Sequence, residues 1–385
     1  MEEKQYLLLP GPTPVPSAVL RGLAKPMINH RGPEFKELFA ELTEGLKEVF
    51  RTENDVIIFP SAGTGGMEAA VANFISPGEK VLVVSIGNFG DRFAEICRRF
   101  GVSVDKIDFP WGTAADPDVL ADRMKKDVNK EIKAVFVTHN ETSTGVTNDL
   151  PKLRKALGDH PALFIVDSVS GLGAMELETD DWNLDVVVAG SQKSFMVPPG
   201  LSFISVSKRA WEVAKECTNA CYYWDIAAAR KYAEKGQTPY TPALPQLTGL
   251  AESLKMIKNE GLPNIITRHR RLKSMVRSGV RAMGLELLAA DEVSSSAVTA
   301  VMAPPGIEAD TIRSTLREKF HVVIAGGQKQ LKNKIFRIGH LGYVQELDIL
   351  AVLAALEMSL DVNGFDVNLG QGVRAAQEIA IKAMA

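Results

Sequence analysis

A chain of 385 residues can bury a large core and is expected to divide into two domains, one of them large. Its 47 acidic and 44 basic residues leave a formal charge of −3, without the basic face that nucleic acid requires, so a small metabolite fits better than a polyanion. Three cysteines, Cys97, Cys217 and Cys221, are too few and too unevenly placed for a disulfide framework, and they lack His or Cys partners at metal-ligand spacing. A reducing compartment and no metal centre are expected.

The N-terminal Met1-Glu-Glu-Lys-Gln5 carries no signal-peptide core, and no apolar run approaches a membrane span, which favours a cytoplasmic protein. Four prolines between Leu7 and Pro16 exclude a helix, so this stretch is an extended arm with a bend at Pro10-Gly11-Pro12. His30-Arg31 either touches an anionic substrate or is a capping or surface pair. An amphipathic helix follows, from about Pro33 to Phe50.

Val56–Phe59 is an apolar strand, and Pro60-Ser-Ala-Gly-Thr-Gly-Gly66 then leads into a helix expected over Met67–Phe74. A strand, a glycine-rich turn and a helix N-terminus form an anion site, because unpaired N–H groups point outward there. Neither the P-loop nor the G-x-G-x-x-G pattern is present, so a single phosphate monoester fits better than a nucleotide. βα units continue through strands at Lys80–Ser85, Ser103–Ile107, Ala134–Val137 and Ala162–Val166, with helices near Asp91–Phe100, Asp116–Val128 and Leu150–Leu157. This alternation indicates a mostly parallel sheet covered on both faces. In such a sheet the ligand lies beyond the carboxyl ends of the strands. The polar segments Gly87-Asn-Phe89, His139–Gly145, Asp167–Ser170 and Gly190-Ser-Gln-Lys193 all fall there.

Lys193 follows the apolar run Asp185–Ala189 and precedes a break at Pro198-Pro-Gly200 and a second apolar run, Leu201–Val206. A lysine held between two buried strands is desolvated, which lowers its pKa towards the neutral amine that imine chemistry needs. Beyond Thr238-Pro-Tyr-Thr-Pro242, an amphipathic region from about Pro245 to Met283, broken near Gly261, leads into a different alternation. Strands are expected near Leu285–Leu288, Val298–Met302, Val322 and Phe336, and helices over Ala309–Lys319, Gln345–Leu360 and Gly370–Ala385. This is the pattern of a smaller α+β domain.

Ser191-Gln-Lys193 with Pro198-Pro-Gly200, and Val166-Asp-Ser-Val169 with its aspartate 26 residues before the lysine, resemble the class V, fold-type I pyridoxal-phosphate aminotransferases. The resemblance is to the alanine–glyoxylate and serine–pyruvate or serine–glyoxylate group, one relative of which is labelled a small subunit of a soluble hydrogenase. It runs from Pro10-Gly11-Pro12 to Phe336-Arg-Ile-Gly-His-Leu-Gly342. It implies an arm over residues 1–20, a large domain over 21–255 on a mostly parallel seven-stranded sheet, and a small α+β domain over 256–385.

By the same resemblance, Lys193 holds pyridoxal 5'-phosphate as an imine and then serves as the base. Asp167 pairs with the pyridine nitrogen, its own pKa falling beside that cation. Val169 and Phe89 pack on the two ring faces. Thr142, with Ser143 close by, meets the ring hydroxyl, and Ala62, Gly63, Thr64 and Gln192 hold the phosphate. Thr241 reaches the phosphate from the partner of a homodimer with shared sites, and Arg337 clamps the substrate carboxylate. Thr238 stands where some relatives have a phosphate-binding tyrosine, and Ala62-Gly-Thr64 departs from a Ser-Gly-His pattern. The implied reaction is amino transfer from alanine or serine to glyoxylate or pyruvate. A cysteine-desulfurase-like lyase and a non-catalytic hydrogenase subunit are the alternatives; the first lacks a cysteine between His321 and Ile335, and the second lacks a cysteine cluster.

Overall fold

A computed structural model describes residues 5–383; residues 1–4 and 384–385, the outer ends of the expected arm and tail helix, lie outside the described residues. The strands are β1 (Tyr6–Leu8), β2 (Asp55–Phe59), β3 (Lys80–Ser85), β4 (Ser103–Asp108), β5 (Ile132–Thr138), β6 (Asn140–Glu141) and β7 (Val146–Thr147). They continue with β8 (Leu163–Asp167), β9 (Val186–Gly190), β10 (Ser202–Val206), β11 (Val298–Met302), β12 (Val322–Gly326) and β13 (Ile335–Gly339). Seven of them form one sheet in the order β2-β10-β9-β8-β5-β3-β4. All neighbours pair in parallel except β10, which runs antiparallel to both β9 and β2.

The near-continuous apolar runs of these strands follow from burial on both faces. Val81 and Val83 face a core that includes Met67, Phe93 and Phe136, while Leu82 and Val84 face one that includes Phe35, Leu42 and Leu250. Helix Pro33–Phe50 covers the second face with Phe35, Phe39, Leu42, Leu46 and Val49, a helical stripe, and stops where Arg51 turns left-handed at φ 54°.

The smaller layer is the sheet β1-β12-β13-β11, under helices Leu262–Ala282, Ala309–Phe320, Glu346–Val362 and Gln371–Lys382. Its core gathers Leu8, Leu272, Met275, Ile312, Phe336 and Leu353. The arm therefore joins this sheet as a strand, with Tyr6–Leu8 parallel to Val322–Ile324. The break between helices Leu244–Glu260 and Leu262–Ala282 falls at Gly261, whose φ of +81° suits glycine.

The strand expected at Leu285–Leu288 is reduced to an isolated bridge between Leu287 and Val301. The segment still follows β11, with Met302 N–H donating to Glu286 O at 2.8 Å and Leu288 N–H to Ala300 O at 3.1 Å, between the end of the preceding helix, where Leu285 N–H donates to Val280 O, and a 3-10 turn at Asp291. Among the described residues no helix is long and apolar enough to cross a membrane.

Candidate active site

Lys193 lies in the tight connection that reverses the chain from β9 into β10. Ser191 closes this connection: its N–H donates to Leu201 O at 3.0 Å, and its hydroxyl donates to Pro198 O at 2.9 Å. The amine of Lys193 donates to the carbonyl of Pro10 in the arm, and Thr13 Oγ1 donates to Lys193 O at 3.0 Å. Burial pulls the Lys193 pKa down to about 8, helped by Arg337 and Arg92 and opposed by Asp167. The neutral amine expected of this lysine is thus accessible near physiological pH.

Asp167 ends β8, one strand away. Its Oδ1 accepts from Val169 N–H at 2.9 Å, which turns the chain so that Val169 and Asp167 line one cavity of about 230 Å³ with Lys193. Among the protein's own groups, burial pushes the Asp167 pKa up to about 6, and the expected fall is one that a neighbouring pyridinium would bring. The Val169 N–H, Lys193 and Arg92 pull downward but do not overcome desolvation.

The helix expected to start at Met67 starts at Gly63, with Ala62 as an extended N-cap that provides no side-chain bond. The glycines therefore form its first turn rather than a preceding loop. A Cβ on Gly63 would fall 2.7 Å from Val169 Cγ1, so only glycine permits this close approach. Buried Gln192 Oε1 has no hydrogen-bond partner. Gly63, Thr64 and Gln192 all line the cavity.

Phe89 lies in the first turn of helix Asn88–Arg99 and also lines the cavity. It is set there by Glu141, a fully buried carboxylate whose Oε2 accepts from Phe89 N–H at 2.8 Å and Gly90 N–H at 3.3 Å. Burial raises the Glu141 pKa against these bonds. Ser143 is committed to the same support: its hydroxyl donates to Glu141 Oε1 at 2.6 Å and accepts from Asn88 N–H at 3.0 Å. Thr142, between them, faces the cavity.

Arg337 is buried on β13, with Nε donating to Gly326 O at 2.8 Å and Nη1 to Thr142 O at 2.7 Å. Its Nη2 has no partner among the described residues. Burial lowers its pKa to about 10, opposed by Glu141. Arg31, read as either a substrate contact or a capping or surface residue, holds the loop before Thr241, donating to Thr238 O at 2.6 Å and Pro239 O at 3.2 Å. Thr241 is exposed and is not among the residues lining its own chain's Lys193 cavity. Sequence reading gave no role to Arg92, which lines that cavity together with Asn140 and Ser170 from the polar segments expected at the strand ends and Gly11 from the bend in the arm. Arg92, one helical turn after Phe89, carried the one usable signal, since residues three apart share a helix face.

A wider groove of about 840 Å³ elsewhere is walled in part by the ion pairs Lys255–Glu41 and Lys258–Glu48. No group of three or more His, Cys, Asp or Glu suited to a metal ion occurs among the described residues.

The family model for class-V aminotransferases matches residues 5–344. The chain belongs to that family. It is 48% identical to the soluble hydrogenase 42 kDa subunit of Anabaena cylindrica, over 98% of this chain and 99% of that one. It is 42% identical to the serine–glyoxylate aminotransferase of Hyphomicrobium methylovorum, over 97% and 94%. The solved pyridoxamine–pyruvate aminotransferase of Mesorhizobium loti superposes with a TM-score of 0.94 at 30% identity, over 100% and 98%. As a class-V aminotransferase of fold type I, the chain is an enzyme, and the cavity at Lys193 lies where the strands β3, β5, β8 and β9 end.

Proposed function

We propose that this aminotransferase holds pyridoxal 5'-phosphate on Lys193 and moves the amino group of a small L-amino acid, alanine or serine, to glyoxylate or pyruvate. The observation that carries this reading is a buried lysine with its pKa drawn to about 8, in one cavity with a buried carboxylate and a helix start that no side chain caps. The cavity fits the cofactor. Gln192 has an orphaned buried amide oxygen there, and rotation of that amide presents either an acceptor or a donor. The uncapped turn at Gly63 and Thr64 offers backbone N–H groups and the positive end of the helix dipole to a phosphate.

When bound, the cofactor supplies an electron sink for charge that develops on the substrate α-carbon. Asp167, at a pKa of about 6, would suit the pyridine nitrogen, donating a proton to it when neutral or pairing with its N–H once both are charged. Val169 and Phe89, both lining the cavity, would hold the ring. Lys193 Nζ takes the substrate α-proton and returns a proton on the other side of the transfer. Arg337, anchored through Nε and Nη1, keeps Nη2 for the α-carboxylate that every amino donor and oxo-acid acceptor carries.

The names of relatives, serine–glyoxylate among them, support glyoxylate as an acceptor. We also infer a homodimer in which Thr241 reaches the phosphate of the second copy. The loop is stiffened by Arg31 and by the Tyr223–Tyr240 stack at 5.5 Å, and Tyr222 beside it is 78% exposed. The three free cysteines support a cytoplasmic setting.

Borohydride treatment followed by peptide mapping should fix a pyridoxyl group on Lys193, and labelling of another lysine refutes the reading. Incorporation of the cofactor into cofactor-free protein should speed up as pH rises through about 8, because the amine that reacts is the neutral one. A panel of amino donors against glyoxylate and pyruvate then ranks the substrates.

A further inference from the structure

The reading of the cavity as a cofactor site leaves one of its charges unassigned. Besides Lys193, the only cation among the lining residues is Arg92. Its environment is not that of a solvated surface arginine. Nη1 donates to Thr64 Oγ1 at 2.9 Å, and the guanidinium carbon lies 4.6 Å from the centroid of the Phe89 ring. The adjacent Asp91 is already engaged by Lys106 at 2.6 Å and Lys329 at 2.8 Å. Among the described residues no carboxylate forms an ion pair with Arg92. Asp167, across the cavity, feels its field but does not pair with it, so no carboxylate neutralises this cation directly.

The anion end of the cavity has the opposite deficit. The first turn of helix Gly63–Phe74 contains no basic residue, and its N-cap is Ala62, which has no side-chain donor. A phosphate monoester carries nearly two negative charges near neutral pH. Backbone N–H groups and a helix dipole equal to about half an elementary charge do not balance them. Lys193 cannot do so either, since its amine is the group that reacts.

We propose that Arg92 is the counter-ion of the cofactor phosphate, aimed by Thr64 and kept flat by Phe89. This rests on the reading of the cavity as a pyridoxal-phosphate site and adds a residue to it. Thr64 is then a positioning residue, orienting the guanidinium as well as offering its own N–H. The arrangement also accounts for a helix start with no side-chain donor at Ala62: the charge comes across from the neighbouring helix instead.

The test compares two ligands that differ only in the phosphate. Cofactor-free wild type, Arg92→Gln and Arg92→Lys are titrated with pyridoxal 5'-phosphate and with pyridoxal, following the visible absorbance and the quenching of protein fluorescence. Arg92→Gln should weaken pyridoxal 5'-phosphate by about ten- to a hundredfold, the usual cost of losing a charge-assisted bond, and leave pyridoxal within about twofold. Arg92→Lys should recover part of the loss, and inorganic phosphate should compete with the cofactor in wild type but much less in Arg92→Gln. Thermal melts and circular dichroism establish that the variants are folded, and Arg92, being partly exposed, tolerates glutamine.

Equal losses for both ligands would mean that Arg92 acts only through the Phe89 ring, and the proposal would fall. No loss for either overturns it as well. A changed preference between aspartate and alanine at unaltered cofactor affinity would assign Arg92 to a substrate side-chain carboxylate instead. If the wild type itself fails to take pyridoxal 5'-phosphate on Lys193, it is the functional reading that fails.

Discussion

Gly11 lies against Lys193 so closely that a Cβ built on it would fall 2.6 Å from Nζ and 2.7 Å from Cε. With the Pro10 carbonyl accepting from the same amine, the arm is a wall of the site rather than a strap across the surface. Gly11→Ala therefore meets two penalties: a φ of +119°, which L side chains rarely adopt, and a methyl group in the space of the lysine. Cofactor incorporation should slow by at least about tenfold, because a displaced amine loses its alignment. Stopped-flow absorbance measures this, and a wild-type rate would show that the arm yields freely.

Arg337→Lys keeps the charge but loses the planar fork, together with at least one of the bonds to Gly326 O and Thr142 O. Binding of alanine and glyoxylate should weaken by about 1.5–3 kcal/mol, roughly ten- to a hundredfold. The visible spectrum of the holoenzyme should be unchanged. If substrate titrations are normal, or the cofactor is lost instead, the carboxylate role is wrong.

Glu141 links the two clamps of the site, taking the N–H groups of Phe89 and Gly90 on one side and sharing a field with Arg337 on the other. Glu141→Gln offers one amide oxygen where the carboxylate offers two, so a buried donor loses its acceptor. A destabilisation of about 1–3 kcal/mol is expected, with a higher KM for the amino donor because Arg337 loses the negative charge nearest to it. Denaturant melts and steady-state kinetics on one preparation separate the two effects. An unchanged KM would confine Glu141 to supporting the helix.

The strand ends, the Lys193 turn and Asp167 were legible because a parallel sheet buried on both faces writes its strands as apolar runs, and the polar residue after each run marks the ligand side. Other features depend on contacts that no local pattern encodes. Glycines at 63, 65 and 66 read as a loop, yet they lie inside a helix because the first turn packs against Val169, Ser61 and Val188. That burial outweighs the protein's own cations at Asp167 is a matter of tertiary packing. Arg31 looks the same in sequence whether it meets a substrate or the carbonyl groups of a loop more than half the chain away.

Three histidines make stability fall on mild acidification. Burial lowers the pKa of His139 to about 4 and those of His269 and His340 to about 3. The sign follows from which state takes up protons. Below about 6.5 the unfolded chain protonates these imidazoles and the folded chain does not, so their contribution is complete above 6.5 and is lost as pH falls towards 3. Each contributes a slope of about 1.4 kcal/mol per pH unit within that window. Asp167 and Glu141, with raised values, work in the opposite direction and offset part of it. Melting temperatures should drop between pH 7 and pH 5, and a flat profile would mean that the histidines titrate freely in the folded chain.

The pairing of Tyr6–Leu8 with Val322–Ile324 joins the first strand of the chain to one of its last. During synthesis β1 emerges early and waits without a partner while the large sheet forms behind it. Contacts between such distant segments form slowly, since closing so long a loop costs entropy before any pairing offsets it. Pro10 and Gly11, which wall in the lysine, directly follow that strand. Capture of the cofactor thereby becomes a late event in the life of the polypeptide: a nascent chain stalled before β12 has Lys193 and Asp167, and holds the arm over them only through Pro10 and Thr13, without the strand pairing that fixes its far end.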